Sequence, residues 1–185
     1  MTQRLAFMRK SYCLMVWLVL ICTGFILGAQ AVKRMGLIPG RTYNLSVPAD
    51  LHWLDTGFDV RLGQVLSFSA SGMISLQRGN PMAYCGPDGY DDLKTVQQPI
   101  QDRNIGALIG RVVLLLSVEE DEDTGEKIRN ELIEYLYIGE RNRVEIPIDG
   151  KLFLGVNELV TEDNNGRFHV EMRVVSEGET TTSSF

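Results

Sequence analysis

From Arg167 to Val174 the chain alternates without a break, setting Phe168, Val170, Met172 and Val174 against Arg167, His169, Glu171 and Arg173. A period of two puts the four apolar side chains on one face of a strand and the polar four on the other. A second layer must therefore cover that apolar face, and the chain needs more strands to build it. Residues 65–73 supply one, with Leu66, Phe68 and Ala70 against Ser67, Ser69 and Ser71. Residues 41–47, 53–62, 135–139, 143–148 and 151–156 read as others, with Gly63-Gln64 as a turn and Asp149-Gly150 as the pair favoured in a tight hairpin. Residues 105–117 are almost continuously apolar, which suits a central strand buried on both faces, although their length also allows a helix. The acidic run 119–126 leads into 127–134, whose composition predicts one or two helical turns. Glycines and prolines punctuate residues 77–102, which read as a long loop. Short strands, frequent turns and no convincing long helix predict an all-β fold, an antiparallel β-sandwich of jelly-roll type.

The N-terminus carries Arg4, Arg9 and Lys10 before an apolar run, closed by Gly28-Ala29-Gln30-Ala31. This is the three-part layout of a secretory signal with an A-x-A cleavage site. The competing reading is an uncleaved membrane anchor formed by residues 13–29. The expected organisation is a signal peptide or anchor over 1–31, a linker over 32–40, a sandwich domain over 41–175 and a polar flexible tail over 176–185. The expected location is secreted, periplasmic or cell-envelope. Cleavage would remove three cations and no acid, leaving 15 of the 18 cations against all 24 acids, a balance near −9. So acidic a body is a poor partner for nucleic acid or anionic lipid, whose phosphates need Lys and Arg. Cys85 is then the one cysteine of the exported domain, so no intrachain disulfide is available to it.

The chemistry concentrates between residues 155 and 170. Asn157, Glu158, Thr161, Glu162, Asp163, Asn164 and Asn165 crowd one short loop between two strand-like runs, and hard oxygens of this kind are what calcium asks for. The same residue types also form turns with no ion at all. Elsewhere the motifs are weaker. Gly86-Pro87-Asp88-Gly89 is a turn signal, and Asp91 and Asp92 beside it suit a solvated loop. Glu119 to Gly125 imitates an EF-hand only superficially: its glycine falls one place late and nothing supplies the terminal acid. Thiol hydrolysis would require His52 or His169 beside Cys85, and neither lies in a nucleophile motif. Asn44-Leu45-Ser46 is a glycosylation sequon for a eukaryotic host alone.

A series of segments then occurs in order: Trp53-Leu54-Asp55-Thr56-Gly57-Phe58-Asp59-Val60, Gly63-Gln64, Ser69-Ala70-Ser71-Gly72, Gly86-Pro87-Asp88-Gly89, Gly106-Ala107-Leu108-Ile109-Gly110, Tyr137-Ile138-Gly139, Gly150 to Asn157, and Asp163 to Phe168. Together they resemble the bacterial calcium-dependent galactose-binding lectin family (PA-IL-like) from about Tyr43 to Val174. The resemblance implies a small jelly-roll sandwich that holds calcium at one end and binds a galactose-like sugar through the ion. Carried onto this chain, it implies calcium ligands at Asn157, Glu158, Thr161 (by its carbonyl), Asp163 and Asn164, with a further carbonyl at Leu76, and sugar contacts at Glu158 and Asp163. The chain departs from the pattern in three places. Glu158 stands where the family has Asp, the loop is two residues shorter, and no histidine falls in 77–102 to match the family's sugar-contacting one. Residues 118–134 are also foreign to the compact lectin.

The expectation is an exported binding module and not an enzyme, with calcium as its cofactor and a neutral saccharide as its partner. No nucleic acid is expected, membrane contact is expected only through an uncleaved N-terminal segment, and a homo-oligomer is compatible with the sequence. The alternative is a cell-envelope structural or interaction sandwich that has lost the sugar site.

Overall fold

The computed structural model describes residues 34–95, 98–122 and 124–175. The expected signal peptide or anchor and the polar tail lie outside them. The strands are β1 (Met35–Gly36), β2 (Thr42–Pro48), β3 (Leu54–Val60), β4 (Val65–Ser75), β5 (Tyr84–Cys85), β6 (Leu108–Glu120), β7 (Lys127–Tyr137), β8 (Arg141–Glu145), β9 (Gly150–Val156) and β10 (Asn165–Val174). They form two sheets. The first has the order β1-β3-β9-β6-β7, and the second runs β2-β10-β4, with β5 and β8 sharing the far edge of β4. Among the described residues every strand pairing is antiparallel except β1 with β3. The chain is an all-β sandwich.

The alternation in β10 does what its period demands. Phe168, Val170, Met172 and Val174 are all buried, and His169 and Glu171 face solvent on the same strand. They meet Leu66, Phe68 and Ala70 of β4 and Val47 of β2, and the opposing sheet supplies Leu108, Val112, Leu152, Leu154 and Val156 to one shared core. In β6, Ile109 and Val113 are buried as well as Leu108 and Val112, which accounts for the apolar run as far as Val113; the expectation of burial on both faces fails beyond it, where Leu115 and Leu116 are exposed. Burying a Leu, Ile or Phe side chain contributes about 1.5–3 kcal/mol, so this core holds the sandwich together without disulfides.

Three local expectations are corrected. Residues 127–134 are strand and not helix: β7 pairs with β6 from Glu120↔Lys127 to Ile109↔Tyr137, and this long-range ladder overrides the helix-forming Glu, Lys and Arg content. Asp149-Gly150 is not a tight hairpin turn, because β8 belongs to the second sheet and β9 to the first. Pro147 has no N–H with which to extend β8, and the chain crosses over while Asp149 Oδ1 accepts the Leu62 N–H at 2.8 Å. The segment read as linker also joins the sheet, since Met35–Gly36 flanks β3 and Arg34 Nη2 meets Asp55 Oδ2 at 2.6 Å.

Candidate functional site

The loop between β9 and β10 closes where two strands come unusually near. Gly166 has φ +93°, and a Cβ there would stand 2.6 Å from the Met73 carbonyl oxygen of β4. Only glycine fits such a backbone. Within the loop, Asn164 N–H donates to the Thr161 carbonyl at 3.1 Å, which folds 161–164 back on itself. Thr161 and Asn164 are buried, whereas Asp163 is exposed.

Asn164 is the centre of the loop. Its Nδ2 donates to Glu158 Oε2 at 2.6 Å and to the Ala49 carbonyl at 3.3 Å. Its Oδ1 is buried and has no hydrogen-bond partner. Glu158 is half-buried, and burial pushes its carboxyl above the usual carboxylate range; the Asn164 hydrogen bond opposes that rise and the Asp163 charge adds to it. A half-buried carboxyl and a fully buried, unsatisfied amide oxygen therefore sit side by side, an arrangement that costs free energy when the carboxyl is ionised and that a positive charge would relieve.

Asn157 serves a different purpose. Its Nδ2 donates to the carbonyls of Ile100 (2.9 Å) and Asn104 (3.1 Å), and its Oδ1 accepts the Ile100 N–H at 2.9 Å. The side chain is thus spent on clamping the 100–104 segment, with its backbone paired to Ala107. Leu76 is partly buried, with its N–H on the Ala83 carbonyl at 2.9 Å. Its methyls and Cys85 Sγ crowd Gly106, where a Cβ would approach both within 3 Å. Cys85 forms part of this floor. Burial, and then the Glu158 charge, push its thiol up to about 12. Its Sγ donates only weakly to the Gly106 carbonyl, at 3.9 Å. His169 is exposed on the outer face of β10 opposite Ser71, and His52 is exposed ahead of β3, so Cys85 has no histidine with which to make a nucleophile.

Arg78 is the residue that sequence reasoning missed. Its N–H donates to the Asp163 carbonyl at 2.7 Å, and its Nη2 to the Asn164 carbonyl at 3.4 Å. A cation thus touches the loop in which cation chemistry was expected. The one available signal was its place two residues after Leu76, the position the lectin resemblance brings to the same loop. Among the described residues no three His, Cys, Asp or Glu side chains gather closely enough to share a metal ion. Any ion here would lean on amide and carbonyl oxygens beside Glu158 and Asp163, a donor set that calcium accepts.

No protein-family model matches the chain, and no curated protein matches it. Among solved structures it is similar to a domain described as the EclA N-terminal domain, a PllA-like lectin. The two are 18% identical with a TM-score of 0.49, and the match covers 71% of this chain and 95% of that one.

Proposed function

We propose that the chain is a lectin-like binding module whose β9–β10 loop takes calcium and, through it, a neutral saccharide. The observation that carries this reading is the pairing of Glu158, half-buried and ion-paired to nothing among the described residues, with the orphaned Oδ1 of buried Asn164. Glu158, Asn164, Asp163 and carbonyls of the loop would hold the ion. When bound, calcium would supply positive charge and exchangeable coordination positions that sugar hydroxyls can take. Asp163, exposed at the rim, would accept hydroxyl protons as charge-assisted hydrogen bonds. Export and attachment through residues 1–31 belong to the same proposal. Calorimetry of calcium into the protein, followed by a panel of neutral sugars with and without calcium, tests it. Saturable calcium heat that Asp163→Ala abolishes is expected, and flat heats throughout would sink both the metal and the sugar.

A second reading rests on Arg78. If its guanidinium is the loop's own counter-charge, the sandwich is an interaction or structural protein that needs no ion. Calcium would then leave the melting temperature unchanged, while Arg78→Ala would lower it.

A further inference from the structure

β7 ends its sheet. Among the described residues it pairs with β6 alone, so one side of an 11-residue strand has no strand neighbour. β9 accompanies β6 only from Leu108 to Val113, and beyond that point β6 and β7 continue as a two-stranded arm. Leu115, Leu116, Val118, Ile128 and Leu132 on this arm are each at least 40% exposed. A two-stranded ribbon is marginally stable in water by itself, and an apolar, unpaired edge is a template for another strand.

The charges along the edge indicate which strand. An edge protected by charges of one sign repels its own copy, but β7 reads Lys127, Arg129, Glu131, Glu134, with signs that can cancel. We propose that β7 docks antiparallel on β7 of a second copy, across a two-fold axis at Asn130, and joins the two first sheets into one. A continuous sheet keeps its faces, so opposed residues must share a face, and the axis must pass through a residue and not between two. An axis at Ile128 opposes Lys127 to Arg129. At Arg129 or at Glu131 that residue faces itself, and at Leu132 no opposite charges meet. At Asn130, Arg129 meets Glu131 twice, Ile128 meets Leu132 twice, Lys127 lies along Ile133 twice, and the two Asn130 amides face each other. The pairing stops at Lys127, where β7 ends. Arg129 and Glu131 are 3.0 Å apart within one chain, on one face, and available to exchange partners. Opposed pairs of this kind are what stabilise neighbouring strands.

Sedimentation velocity on the full 185-residue chain in a mild non-ionic detergent is the first measurement. A concentration-dependent dimer is expected. Arg129→Glu and Glu131→Arg should each weaken it by about tenfold or more, because each places like charges opposite one another twice. The double reversal should restore it. In a Cys13→Ser/Cys22→Ser background, Asn130→Cys should form an intermolecular disulfide on mild oxidation, and Ile133→Cys, displaced from the axis, should not. All four residues of the edge tested are on the surface or partly exposed, and unchanged melting temperatures check that the variants fold. A monomer at every concentration, single reversals without effect, or cross-linking of the Ile133→Cys variant but not of the Asn130→Cys variant would each overturn the proposal.

Discussion

Asn164 donates to Glu158 across six residues at 2.6 Å, and the same buried amide leaves its own oxygen unpartnered. Burial outweighs that hydrogen bond, so the folded chain favours the protonated form of Glu158 more than the unfolded chain does. Between the unfolded and the raised folded pKa the native state binds more protons, so stability falls as pH rises through that window and the cost is fully present at neutral pH. Glu158→Gln is expected to raise the calcium-free melting temperature at pH 7 and to change it little below the carboxylate range. Thermal melts from about pH 3.5 to about pH 8 check this. A drop at pH 7 would show that the ionised carboxylate is already satisfied.

Asn157→Ala removes three part-buried hydrogen bonds and takes away the partner of the Ile100 N–H, while the Ile100 carbonyl keeps Gln98 Nε2 and the Arg103 N–H and the Asn104 carbonyl keeps the Ala107 N–H. One group left unsatisfied in this way costs about 1–3 kcal/mol, so a loss of roughly that size is expected in chemical denaturation. If the side chain were a ligand and not a clamp, most of the effect would appear only with calcium present.

Gly166→Ala forces a side chain into φ +93° and against the Met73 carbonyl. About 2 kcal/mol or more of destabilisation is expected, since strain of this kind costs on the order of 1–3 kcal/mol before any clash. Gly63→Ala, with a similar positive φ but open space around it, should cost less. Equal losses would mean that the close approach of β10 to β4 carries no weight.

With its thiol pushed up to about 12 by burial and by Glu158, Cys85 should resist alkylation at pH 8 in the folded protein. In the Cys13→Ser/Cys22→Ser background, iodoacetamide should modify the chain only after denaturant is added. Rapid labelling of the native protein would return Cys85 to consideration as a reactive group.

The strands of the core were legible because burial imposes a local pattern. The alternation in β10 and β4 and the apolar run in β6 up to Val113 each follow from which faces are covered, and a period can be read from ten residues of sequence. The last residues of β7, from Tyr135, were legible as strand, but 127–134 were not, because their Lys, Arg, Glu and Leu content favours a helix and their strand state comes from pairing with β6. The loop was recognisable from its Asn and Asp content, but its wiring was not. Arg78 reaches Asn164 across 86 residues and Asn157 reaches Ile100 across 57, separations at which no local rule applies.

The pairing of β2 with β10 joins residues 42–48 to 167–173. The first long strand to emerge from a ribosome or a translocon has to wait for the last one before it gains its neighbour. Until Arg167–Arg173 is available, β2 lacks the strand it pairs with among the described residues and β4 lacks its longest ladder. Native structure is therefore withheld until nearly the whole domain has been delivered, and a chain passing through a secretion channel would remain threadable to the end. Chains truncated before Asn165 should consequently behave as clients of chaperones and proteases and not as smaller folded domains.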